Sequence, residues 1–170
     1  SVSWVSPILA HPTTSGTFYT ARQRVYRSTD NGGNWTAISA NVNGTSSVRE
    51  MAVSKSNPSV MFATSGSSVF KSIDAGITWT NVTAGLPSKT ITSVNIYPTN
   101  SDEVFLTFSG FGTSKVYRSS NGGSTWVSIS GNLPDTPVND IYIHTNNPGF
   151  PNTYFVATDV GIFLTENNGT

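Results

Sequence analysis

Apolar residues along this chain gather in short runs, each broken within a few residues by Gly, Pro, Asn or Ser. One set alternates in character: VYRS at Val25–Ser28, VFKS at Val69–Ser72, VYRS at Val116–Ser119 and IFLT at Ile162–Thr165. A second set lies upstream of these and is more continuously apolar: TFYTA at Thr17–Ala21, VMFAT at Val60–Thr64, VFLTF at Val104–Phe108 and TYFVAT at Thr153–Thr158. Further upstream still lie VSPILAHP, REMAVSKSNP, SVNIYPTN and NDIYIHTNNP. Short β-branched and aromatic runs bounded by turn residues predict strands. No window holds an apolar stripe at helical spacing with caps, so almost no helix is predicted.

The runs recur in a fixed order, and each third run leads into one octet. It reads STDNGGNW at Ser28–Trp35, SIDAGITW at Ser72–Trp79 and SSNGGSTW at Ser119–Trp126, with a shortened TENNGT at Thr165–Thr170. Its third position is Asp30, Asp74, Asn121 and Asn167, at intervals of 44, 47 and 46 residues. Each unit therefore reads as a strand, a Pro/Asn turn, a strand, a Gly/Ser turn, a strand, the octet and a last strand. The units run roughly over 1–40, 46–84, 90–131 and 137–170, the last one truncated. Four strands repeating at about 40–45 residues predict the blade of an all-β propeller, with about three and three-quarter blades present. The expectation is a segment of a larger propeller, whose remaining blades come from the same parent chain or from an oligomer partner.

The pattern S-x-D-x-G-x-x-W after V-[YF]-[RK] resembles the Asp-box, or BNR repeat, of sialidases, two-propeller xyloglucanases, sortilin-type receptors and photosystem II assembly factors. The stretches GNLPDTPVNDIYI (Gly131–Ile143) and YFVATDVGIF (Tyr154–Phe163) resemble large secreted bacterial BNR proteins. The resemblance implies a hairpin turn between the third and fourth strands of each blade. Gly32, Gly76, Gly122 and Gly169 are expected at positive φ. Asp30, Asp74, Asn121 and Asn167 are expected to accept hydrogen bonds from turn amides, with Ser28, Ser72 and Ser119 bonding across the same turn. Trp35, Trp79 and Trp126 are expected to bury their rings beneath the hairpin. On this reading the repeated residues are structural.

Composition narrows the chemistry. Nine basic and nine acidic side chains leave no net charge, so nothing electrostatic favours nucleic acid. No run approaches the ~20 apolar residues that span a bilayer, so no membrane insertion is expected. There is no cysteine, and His11 and His144 stand apart without a ligand-spaced partner, so neither a metal nor a cofactor is expected. Low charge with abundant Ser, Thr and Asn fits an extracellular protein, and the resemblance to secreted bacterial BNR proteins implies a bacterial one.

Outside the octets, Asp135, Asp140 and Asp159 are the carboxylates that could serve a glycosidase, which needs an acidic pair about 5–10 Å apart. Asp102 and Glu103 read as a solvated loop pair. Phe111 and Phe150, in Gly-containing loops, are candidate ligand-stacking residues. Arg27 and Arg118 belong to the repeated strand, not to a sialidase-like arginine triad. The leading expectation is a non-catalytic binding or scaffold segment presenting a rigid surface to a glycan or protein partner. The alternative is part of a glycoside hydrolase, xyloglucanase-like before sialidase-like.

Overall fold

The computed structural model describes residues 6–145 and 153–165. Among these, every regular element is a strand. The first sheet meanders through β1 (Ile8–Ala10), β2 (Phe18–Ala21), β3 (Val25–Ser28) and β4 (Thr36–Ala37). The second does so through β5 (Glu50–Val53), β6 (Met61–Ser65), β7 (Ser68–Ser72) and β8 (Thr80–Asn81). The third uses β9 (Ile91–Ile96), β10 (Val104–Phe108), β11 (Val116–Ser119) and β12 (Val127–Ser128). The fourth shows β13 (Val138–His144), β14 (Thr153–Thr158) and β15 (Gly161–Thr165). All pairings are antiparallel.

The sheets stack like propeller blades. Their first strands are the inner ones, with β5 contacting β1 and β9, and β9 contacting β13. The two-residue strands β4, β8 and β12 form exposed outer edges, too short to template pairing with another chain.

Burial along the second strands shows where each sheet sits. Every residue of β6 and of β10 is buried. These sheets are sandwiched, and a strand covered on both faces reads as a continuous apolar run. β2 instead buries only alternate residues, Tyr19 and Ala21, because only one of its faces meets another sheet.

The register exposes a repeat that the octet does not contain. Tyr19 lies opposite Arg27, Phe62 opposite Lys71, Phe105 opposite Arg118 and Phe155 opposite Leu164. Each of the first three sheets thus points an aromatic ring at the sheet that follows, and the fourth carries Phe155 at the same position. The first three rings are at most 1% exposed, whereas Phe155 is 38% exposed. The same holds one strand outward: Val25, Val69 and Val116 are buried, and the equivalent Ile162 is 74% exposed. Each of the three covered seams is a separate apolar cluster. Charge adds to two of them, with Lys71 Nζ 5.8 Å from the Phe62 ring centre and the Arg118 guanidinium 5.9 Å from that of Phe105.

Glu103 corrects one sequence expectation. Its side chain is 13% exposed and pairs with Arg118 at 2.7 Å, so it is not a solvated loop residue. Asp102 pairs with Lys71 of the preceding sheet at 3.6 Å.

Candidate functional site

The three described octets share one hydrogen-bond pattern. Each Ser hydroxyl donates to the Asp or Asn two residues on: Ser28 to Asp30 at 2.7 Å, Ser72 to Asp74 at 2.8 Å and Ser119 to Asn121 at 2.9 Å. The same hydroxyl accepts the amide four residues on, from Gly32, Gly76 and Gly123. The Asp or Asn oxygen then accepts the amides of Asn34, Thr78 and Thr125 at 2.8, 2.9 and 2.9 Å.

Two expectations need correction. In the third octet the glycine equivalent to Gly32 and Gly76 is Gly123, not Gly122. Gly122 matches Asn31 and Ala75, which also adopt the left-handed conformation at φ 59. A Cβ there would also displace the ends of the Lys71 and Asp102 side chains. The tryptophans also differ. Trp126 is 9% exposed, Trp79 half-buried and Trp35 37% exposed. The indoles of Trp35 and Trp79 fold back on their own turns as expected, donating to the Gly32 and Gly76 carbonyls at 3.1 and 3.0 Å, and Trp79 also joins the cluster containing Ile38, whereas Trp126 donates to the Val82 carbonyl at 2.8 Å, toward the preceding sheet. Trp35 has no described sheet before it. Asn167, Gly169 and Phe150 lie outside the described residues.

The turn bonds pull the Asp30 and Asp74 carboxyls down to about 2 from the usual 3.8, chiefly through Asn34 and Thr78 respectively. A depressed folded-state pKa contributes stability that is complete above the unfolded value and is lost as pH falls through the folded one. Acid should therefore destabilise the fold between pH 3.8 and about 2. Asn121 makes the equivalent bonds without charge. A double Asp30→Asn, Asp74→Asn variant should fold and show a flatter midpoint-versus-pH curve across this window in urea titrations. An unchanged acid slope would mean other carboxylates set it.

The candidate catalytic carboxylates are held by different partners. Asp135 accepts from the Gly112 amide at 2.9 Å and Lys115 Nζ at 2.8 Å, and these lower its pKa, the lysine bond most. Asp159, in the β14–β15 turn, accepts from Asn139 at 2.9 Å. Asp140 accepts from Ser93 Oγ at 2.6 Å and from its neighbour's amide, Ile141 N, at 2.8 Å. A bulge at Val138/Asp140 re-aims its side chain toward the third sheet.

Asp140 has a companion that sequence reasoning passed over. Met51, Val94 and Ile141 occupy one blade position by register, so the residues before them, Glu50, Ser93 and Asp140, are equivalent as well. They ring the inner strands at the end opposite the octets. Glu50 remains open to solvent, yet the protein around it, and then the charge of Asp140, raise its pKa above the usual range. The signal was available in the spacing of the first-strand runs, but only once their register was known. A separate groove of about 290 Å³ follows the inner strands past Asn95, Tyr142, Leu9 and Lys55, and none of Glu50, Ser93 and Asp140 lines it. Among the described residues, no group of His, Cys, Asp and Glu could hold a metal ion.

The family model described as Sortilin-Vps10 (sortilin, neurotensin receptor 3) matches residues 23–112, just over half of the chain. The chain belongs to the Sortilin-Vps10 family. The matched span of this Sortilin-Vps10 chain includes the octets at Ser28–Trp35 and Ser72–Trp79. No curated protein sequence matches it. An ancestral GH74 enzyme superposes with a TM-score of 0.80 at 22% identity, over 98% of this chain and 23% of that one. The GH74 enzyme of Niastella koreensis gives 0.73 at 19% identity, over 96% and 29%. YCF48 bound to D1 peptide gives 0.65 at 19% identity, over 96% and 50%. The Sortilin-Vps10 chain thus spans about a quarter of the GH74 enzymes and half of YCF48. The likeness is one of fold, that of a BNR-type β-propeller.

Proposed function

We propose that this chain is a non-catalytic binding or scaffold segment of a larger secreted Asp-box propeller protein, presenting a rigid surface to a glycan or protein partner. One observation carries the reading. The carboxylates that the sequence offers for chemistry are engaged internally: Asp30 and Asp74 close turns, Asp135 holds a lysine, and Asp159 ties down Asn139. The larger ring is supported by the open face of the fourth sheet, where Phe155 and Ile162 occupy positions that a following sheet covers elsewhere. A secreted location fits the low charge. No helix among the described residues is long and apolar enough to cross a membrane.

Glu50 and Asp140 favour a second reading, part of a glycoside hydrolase, because both carboxyls stand at one end of the inner strands, near enough for the charge of Asp140 to bear on Glu50, and a glycosidase works with two such groups. Incubation with a panel of extracellular polysaccharides separates the two. A scaffold releases no reducing sugar. A hydrolase releases it, and the release disappears in Glu50→Gln and Asp140→Asn.

A further inference from the structure

The loops that join second to third strands differ sharply in length. In the first, second and fourth sheets they take three, two and two residues, whereas the third sheet uses the seven residues from Ser109 to Lys115. Two residues suffice to turn this corner, so the added ones serve something other than the meander. In repeat proteins such single-unit insertions gather on one face, often the binding face.

This loop is also held at a cost that the shorter turns avoid. Lys115 is 2% exposed, and burying an ammonium is unfavourable unless it is paired. Its Nζ donates to the Thr113 carbonyl and to Asp135 Oδ1, and Asp135 accepts the Gly112 amide with both oxygens. Gly110 and Gly112 adopt positive φ on either side of Phe111. The clamp therefore fixes the C-terminal side of a tip whose central residue, Phe111, is 62% exposed, while the Ser109 amide, donating to the Thr90 carbonyl at 3.0 Å, fixes the other side. Lys89, from the preceding connection, lies beside Gly110 and contributes to the field at Asp135. Antiparallel alternation places this loop at the same end as Glu50, Ser93 and Asp140.

We propose that Phe111 is the stacking platform of a glycan subsite, taking the apolar face of a neutral pyranose ring while its hydroxyls meet Lys89 and the solvent-facing side of Asp135, whose side chain is 58% exposed despite its bonds to Lys115 and Gly112. The inference rests on the binding-segment reading and names its ligand class. One aromatic ring set among a cation and an anion suits a sugar, which offers a C–H face edged by hydroxyls. A protein partner would need a contiguous surface of about 800 Å² with several buried anchors.

The test is an amide-resolved NMR titration of the full chain with cellohexaose, mannohexaose and xylohexaose in turn. At least one should bind, shifting Gly110, Gly112 and Lys89. Phe111→Ala should weaken that binding by about tenfold or more, Phe111→Trp should retain it, and both variants should melt with the parent. Saturable binding that Phe111→Ala leaves unchanged, with shifts confined to Glu50, Asn95 and Asp140, would overturn the subsite and leave the binding-segment reading standing. No binding of any of the three at millimolar concentration would overturn it too, and the protein-partner form of that reading would then be tested with peptides.

Discussion

Phe105→Ala is expected to lower the stability of the fold by about 3–5 kcal/mol, the range for deleting a buried aromatic side chain. Phe155→Ala, at the same repeat position, is expected to cost under about 1 kcal/mol, as exposed substitutions do. Phe105 is fully buried at the seam between the third and fourth sheets, with its ring centre 5.0 Å from that of Tyr154 and the Arg118 guanidinium above it. Truncation would leave a cavity lined by two sheets that cannot collapse without sliding past each other. Phe155 has the same strand partner position but no described sheet over it. Urea midpoints of the two variants measure the contrast directly. Equal losses would show that the rings stabilise their own sheets and that the seams contribute little.

Trp126→Ala should be similarly costly, at about 3–5 kcal/mol for the lost ring. An added penalty of about 1–3 kcal/mol applies if the Val82 carbonyl finds no replacement donor. Trp35→Ala should cost much less, although its indole sits in the same octet position and bonds its own turn at Gly32. The physical difference is the sheet that precedes each. Trp126 joins a cluster with Val82 and Leu86 of the second sheet and its following connection, while Trp35 lies 37% exposed. Thermal melts of both variants give the comparison. If Trp35→Ala lost as much as Trp126→Ala, the octet would be a self-contained unit and the preceding sheet irrelevant to it.

Much of this architecture is legible in the sequence because the chain repeats its errors as well as its rules. A single octet would be a weak turn signal, but copies 44–47 residues apart fix strand order and sheet count together. The runs around Phe62 and Phe105 announce strands covered on both faces. What stayed hidden depends on facing across space. Gly122 and Gly123 are adjacent and both adopt positive φ, so spacing alone could not say which one meets Ser119. The exposure of Trp35 follows from a neighbour and not from its own octet. The candidate site was less readable still. Asp140 could be picked out, but its relation to Glu50 appears only when Met51, Val94 and Ile141 are set in register. Nothing in the local sequence marks Lys115 as a lysine that the fold buries against Asp135, twenty residues away.

The direction of the seams bears on how such a chain can lengthen. Every sheet offers an aromatic ring and a β-branched residue forward, and receives its neighbour's on the opposite face through residues such as Met61, Leu106 and Val156. The two faces are complementary, and the same complementarity recurs at each step. A tandem duplication of one whole unit therefore inserts a sheet already matched on both sides, and creates no surface chemistry that the molecule lacks. Duplication of half a unit would strand one face and break the Trp-to-preceding-sheet contact. Growth by complete units is thus nearly silent energetically, and growth by fractions is punished at once.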